Sequence, residues 1–187
     1  MSMIDDVVAD LAGSVKKAQD ALRRDLSKLR TGRANVGMLD GVRVDYYGTP
    51  TPLNQLSSIS TPEPRLILVK VWDKGAVKAV DTAIRSAGLG LNPVTEGELV
   101  RLPIPPLTEE RRKDLVKVAR KSAEEAKVAI RGARREANEM LDQLVADGEA
   151  PEDDVDRAGK KVQQMIDDGV KGVDDIVTAK EKDILEV

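Results

Sequence analysis

Three long stretches of this sequence repeat apolar residues at steps of three and four, and only the interval 36–105 breaks the rhythm. In the first stretch Ile4, Val8, Leu11, Val15, Ala18, Leu22, Leu26 and Leu29 fall on one face of a helix about seven turns long. The second opens in "PPLTEERRKDL", where Thr108 can cap the N-terminus and Glu109 and Glu110 suit the positive end of the helix dipole. Leu115, Ala119, Ser122, Ala126, Ala129, Ala133, Ala137, Met140 and Leu144 then predict an alanine-rich, heptad-like seam that runs to about Ala146. "DGEAP" interrupts the chain, and Pro151 can open a further helix at its first turn. Val155, Ala158, Val162, Met165, Gly169, Val173, Ile176 and Ile184 give that helix a seam of its own. No such helix is stable alone in water, so three seams of similar length predict an antiparallel three-helix bundle.

Between Val36 and Pro105 the pattern is that of strands. "VRVDYY", "LILVKVW" and "ELVRLPI" are short β-branched runs set apart by Gly, Pro, Thr and Asn. "KGAVKAVDTAIRSAGLG" places Val77, Val80, Ala83, Ile84 and Ala87 on one side of a short helix that Gly88 can close. In "YYGTPTPL", strand position and burial account for at least one tyrosine, and Gly48, Pro50 and Pro52 read as turns and edge protection. The predicted fold is α+β: a discontinuous bundle of residues 1–30 and 105–187, with a small, mostly β, α/β domain of residues 31–104 inserted after the first helix. Both ends of the insertion are expected at one end of the bundle, with hinges near 30–33 and 103–107. In "LRTGRAN" Gly32 can supply a left-handed residue that ends the helix; Thr31 and Gly32 face Pro103, Pro105 and Pro106 as the two sides of the hinge.

The chain of 187 residues holds no cysteine and no histidine. That excludes disulfides and thiolate metal sites, and it removes the commonest general base and metal ligand. Its acidic residues spread along solvated helix faces without a pair set apart, so a carboxylate-dependent hydrolase has no candidate site. The chain reads as no enzyme, with no cofactor and no metal. No apolar run approaches ~18 residues, and the acidic start "MSMIDDVVAD" does not resemble a signal peptide, which points to a soluble cytoplasmic protein with no membrane partner.

A formal net charge of −3 hides a strong asymmetry. Residues 101–135 carry eleven Lys and Arg against five Asp and Glu, whereas residues 136–187 carry six against sixteen. On the second long helix Lys113, Lys117, Arg120, Lys127, Arg131 and Arg134, joined by Arg135, form a stripe expected on the side opposite the apolar seam. Such a stripe can be an ordinary solvated face, a grip on an acidic protein, or a surface for phosphates. The scarcity of aromatic residues favours recognition of RNA backbone and shape over base sequence. Asp167, Asp168, Asp174 and Asp175 give the third long helix an acidic face expected to point away from RNA. "LRTGRAN" lacks the Gly-Lys-Ser/Thr of a phosphate-binding loop, and "GLGLNP" follows a helix where a dinucleotide fingerprint follows a strand, so neither reads as a nucleotide site.

"LRTGRAN", "VDYYGTPTPLNQL", "LGLNP", "PPLTEERRKDL" and "EEAKVAIRGARREAN", in this order and at these separations, resemble the ribosome recycling factor family over nearly the whole chain. The resemblance implies a three-helix bundle with an inserted α/β domain and no enzymatic activity. It implies a factor, expected as a monomer, that binds between the ribosomal subunits after termination, with the bundle across the ribosomal RNA of the large ribosomal subunit. Elongation factor G with GTP then drives the subunits apart and frees the messenger. By the same resemblance Arg30, Arg33, Arg131, Arg134 and Arg135 face RNA. Gly132 departs from the family, which usually carries a bulkier residue there; with Gly159, Gly169 and Gly172 it predicts softer helices than the seams suggest.

Overall fold

The computed structural model describes residues 2–186 and separates into two compact units, one of residues 2–29 with 109–186 and the other of residues 30–108. The first is built from three helices: α1 (Met3–Ser27), α3 (Glu109–Ala146) and α4 (Glu152–Leu185). The second holds α2 (Val77–Ser86) and six strands: β1 (Arg43–Tyr46), β2 (Thr49–Pro52), β3 (Ser57–Glu63), β4 (Leu66–Val71), β5 (Val94–Glu96) and β6 (Leu99–Pro103). The class is α+β. Among the described residues no helix is long and apolar enough to cross a membrane.

Each bundle helix starts and stops where local chemistry dictates. Ser2 and Asp5 form a reciprocal capping box: the Asp5 N–H donates to Ser2 Oγ at 3.2 Å, and the Ser2 N–H donates to Asp5 Oδ2 at 3.0 Å. The Ser2 N–H, and after it the Ser2 hydroxyl, hold the Asp5 carboxyl below its ordinary pKa. Helix α3 ends where Gly148 takes a φ of 71°, and α4 begins after Pro151, which stands as its N-cap and not inside its first turn. The order is up-down-up. Lys127 and Arg120 of α3 meet Asp174 and Glu181 of α4, so those two helices are antiparallel. Val15 and Gln19 of α1 meet Gly169 and Gly172, so α1 runs with α4.

The seams are those expected, turned on their axes. On α3 the buried residues are Leu115, Ala119, Ala123, Ala126, Ile130, Ala137 and Leu141; Ser122 and Ala133 are half-buried, while Ala129 and Met140 are exposed. A run of alanines fits either register, and the branched Ile130 and Leu141 decide it because they bury more apolar area. At ~100° per residue the change turns the buried face by roughly 40°. On α4, Ile166 and Val177 are buried and Met165 and Ile176 half-buried, and on α1 Val7 is buried beside Leu11, Leu22 and Leu26. The α4 glycines are not all softness. A Cβ on Gly169 would lie 2.7 Å from Val15 Cγ1, and Gln19 Nε2 donates to the Gly169 carbonyl at 3.0 Å. Gly169 and Gly172, whose added Cβ would lie 2.5 Å from Gln19 Nε2, mark a close approach of α1 and α4.

In the α/β unit β3, β4, β6 and β5 form an antiparallel sheet in that order, and β1 pairs with β2. One face of the sheet and the inner side of α2 share a core that includes Leu53, Ile67, Val69, Val80, Ile84 and Leu102. Burying each such side chain contributes roughly 1.5–3 kcal/mol. Three strands lack the apolar runs that mark the others: β2 is "TPTP", β3 is "SSISTPE" and β5 is "VTE". Each has a ladder on one side only, where proline and exposed polar residues are tolerated. Pro50 and Pro52 thus lie in a strand, opposite Asp45 and Arg43.

The two chain crossings are tied to the same turn. The Ala34 N–H donates to the Pro64 carbonyl at 2.7 Å, and the Ile104 N–H donates to the Arg65 carbonyl at 2.8 Å. Pro103 ends β6 opposite Leu66. Gly32 does not adopt the left-handed conformation expected of it; the positive φ values fall at Gly48, Gly88, Gly90, Gly97, Gly148 and Tyr47. The cap residue Lys28 is helical, and the helix ends with the Lys28 and Leu29 N–H groups bonded to the Asp25 and Leu26 carbonyls in a tightened last turn.

Candidate nucleic-acid interface

The cations of α3 do not stand opposite its buried seam. Because the seam is turned, the stripe lies on a flank of the helix, and part of it borders α4. Lys127 Nζ sits 2.6 Å from Asp174 Oδ1, and its side chain keeps only 20% of its exposure. Arg120 Nε donates to Glu181 Oε1 at 2.6 Å, and its Nη2 reaches Oε2 at 3.5 Å. That hydrogen bond, and then the Glu181 charge, raise the Arg120 pKa above its ordinary value, so the guanidinium is a permanent cation. Arg131 Nη1 donates to Glu124 Oε1 at 3.2 Å, and Lys113 Nζ sits 3.0 Å from Glu109 Oε1 one turn earlier.

Lys117, Arg134 and Arg135 are exposed and hold no ion pair or hydrogen bond among the described residues. The stripe therefore has two parts. From Lys113 to Arg131 most of its charge is matched by carboxylates of the chain itself, and at Arg134 and Arg135 it is open. Beside the open end Val128 is exposed, and a Cβ built on Gly132 meets nothing within 4 Å. The flank that Val128, Gly132 and Arg135 share offers a cation, an apolar contact and a helix surface without a side chain in the way, which suits a ribose-phosphate backbone; Arg134, two residues past Gly132, projects from another side of the helix, nearer Lys127.

The acidic face of α4 is likewise divided. Asp167 and Asp168 accept hydrogen bonds from Gln163 and Gln164 one turn earlier, while Asp174 turns toward α3. Asp174 does not point away from the cationic stripe; it neutralises part of it.

Arg30 and Arg33 belong to the α/β unit. Arg30 Nη1 donates to the Leu89 carbonyl at 2.6 Å, which fastens the first crossing to the loop after α2. Arg30 and Thr31 of the first crossing and Pro105, Pro106 and Leu107 of the second line a recess of about 210 Å³ in that unit, together with Leu91 and Ile104. A Cβ on Gly32 would rest 3.8 Å from Leu107 Cγ, an ordinary contact.

A second cluster gathers the tyrosines of the chain. Tyr46 Oη and Tyr47 Oη both donate to Asp73 Oδ2, at 3.0 and 3.3 Å, and the Gly75 N–H donates to Oδ1 at 2.8 Å. Tyr46 is half-buried, whereas Tyr47 is 78% exposed and holds a φ of 49°.

The helical motifs and the cations on α3 are legible in the sequence. The carboxylates that meet them are not, since Asp174 and Glu181 lie on another helix. The available signal was Ile130: seating it in the core in place of Ala129 brings Lys127 to the border with α4.

Residues 22–185 match the family model described as "Ribosome recycling factor". A ribosome-recycling factor of Sorangium cellulosum is 57% identical over 185 residues, 99% of this chain and 100% of that one. The ribosome-recycling factor of Brevibacillus brevis is 53% identical over 181 residues, 97% and 98% of the two chains. A solution structure of the ribosome recycling factor aligns over the whole of both chains with a TM-score of 0.76 at 38% identity. A T. thermophilus ribosome recycling factor, in models of it and E. coli elongation factor G bound to the E. coli post-termination complex, aligns with a TM-score of 0.63 at 41% identity, again over both full chains. A family model matched over residues 22–185, with relatives more than half identical from end to end, means that this chain belongs to the ribosome recycling factor family.

Proposed function

We propose that this chain binds the post-termination ribosome between its subunits with α3 laid along ribosomal RNA of the large subunit. With elongation factor G and GTP, it then splits the ribosome and releases it from the messenger. Its family is one of translation factors that are not enzymes, so the energy for splitting comes from GTP used by its partner. A relative 41% identical to this chain is seen with elongation factor G on a post-termination complex, which supports both partners.

The observation that carries the reading is the open end of the stripe. Arg134 and Arg135 are fully available on a rigid helix, one turn past Arg131, and each can meet a phosphate without giving up a partner. Lys117 extends the face toward the helix N-terminus; Lys113, Arg120, Lys127 and Arg131 add charge that must first leave a carboxylate. Arg30 and Arg33 are proposed to contribute from the α/β unit. Thr31 and Gly32 on one crossing and Pro105 and Pro106 on the other form the hinge, with Pro103 at its edge.

The test is binding of Arg134→Glu and Arg135→Glu to isolated large subunits over a salt series. Each variant should keep the parent's helicity and melting temperature, bind more weakly, and flatten the log–log salt slope by about one unit. Parental affinity in both variants at moderate salt would remove α3 from the RNA interface.

A further inference from the structure

Two carboxylates of α4 occupy the places on Arg120 and Lys127 that RNA phosphates would take. The two cations lie seven residues apart on α3, two helical turns or about 10.5 Å. They border one polar groove of about 310 Å³, which Glu124, Asp174, Thr178 and Glu181 also line. In each pair one partner is drawn in and the other faces water. Arg120 is 68% exposed against 21% for Glu181, and Lys127 is 20% exposed against 54% for Asp174. A carboxylate held at hydrogen-bond distance from a cation is the local equivalent of a phosphate oxygen. RNA must therefore exchange one anion for another at these two positions, whereas at Arg134 and Arg135 it simply adds.

We propose that Asp174 and Glu181 are specificity-determining residues that stand in for phosphate on Lys127 and Arg120, so that only RNA shaped to displace both gains those two contacts. The inference rests on the reading of α3 as the RNA-binding face. A stripe of free cations would bind any duplex, because backbone contacts carry no sequence information. With two of its cations covered, unrelated RNA meets a weaker surface. A binding site that presses on the groove with phosphates in register recovers the full charge, so discrimination is built from an internal competitor and not from base contacts.

The test compares the full-length parent with Asp174→Asn/Glu181→Gln, and with Glu181→Gln alone, against two probes over a salt series: a random-sequence RNA duplex and isolated large ribosomal subunits. The double variant should bind the duplex several-fold more tightly, with a slope steeper by between one and two units, since up to two cations are freed at about 0.7–0.9 each. Affinity for large subunits should rise less, so the ratio between the probes falls. Glu181→Gln alone should move the same readouts about half as far, which keeps the test valid if the double variant loses helicity. Unchanged duplex affinity and slope in a folded variant would overturn the proposal, leaving the pairs as struts between helices. Salt-independent binding of the parent to large subunits would instead overturn the RNA-face reading, and this inference with it.

Discussion

Asp73 gathers two phenols and a backbone amide on one half-buried carboxylate. The Gly75 N–H, and after it Tyr46, hold its pKa below the ordinary carboxylate range. A depressed folded value means that the carboxylate contributes stability above about pH 3.9, and that this is lost as pH falls through the folded pKa. The Tyr46 phenol is raised, first by its bond to Asp73, so its contribution is complete below about pH 10 and is lost as pH rises through the folded value. Trp72, the single tryptophan, is exposed beside this cluster and reports on it. In Asp73→Asn the acid change in Trp72 fluorescence should flatten, and one tyrosine should ionise at lower pH than in the parent, read by tyrosinate absorbance. Identical titrations would mean that the Asp73 bonds do not hold in solution. The tyrosine pair stands out in the sequence, but Asp73, 26 residues away, is marked by nothing local.

Helix α3 separates what sequence reveals from what packing decides. Its end at Ala146 is written in residues next to the break. Its rotation is not, since small residues at 119, 122, 123, 126, 129 and 133 allow two neighbouring registers. The observed register makes Ile130→Ala a cavity mutation costing roughly 2–5 kcal/mol in denaturant unfolding, while Met140→Ala stays within about 0.5 kcal/mol. The reverse order would restore the alanine-centred seam. The glycines divide in the same way. Gly132→Ala should stabilise by up to ~1 kcal/mol, because nothing opposes a methyl group there and the helix interior gains one. Gly169→Ala should destabilise by about 1–3 kcal/mol, because its methyl group meets Val15. Strands β2, β3 and β5 are not legible in the sequence because their place comes from pairing with a neighbour and from no apolar rhythm of their own.

The bonds from Ala34 to Pro64 and from Ile104 to Arg65 fix where the α/β unit begins and ends, which leaves residues 28–33 and 105–108 as the proposed hinge. Closures of this kind are absorbed by a few residues at the ends of elements. A disulfide engineered between Gly32→Cys and Leu107→Cys, in a chain with no other cysteine, should preserve binding to large subunits when oxidised but block splitting by elongation factor G; reduction should restore it. Parental splitting rates in the oxidised form would show the crossings to be passive connectors. The discontinuous bundle has a consequence for synthesis as well. Residues 30–108 carry their own core, so this unit can fold as soon as it emerges from the ribosome that makes it. Helix α1 emerges first yet finds its partners last. At about 5–20 residues per second, its apolar face waits from several to roughly twenty seconds for α3 to be made. During that interval the nascent chain carries an unmatched hydrophobic segment ahead of a unit that already has a core of its own.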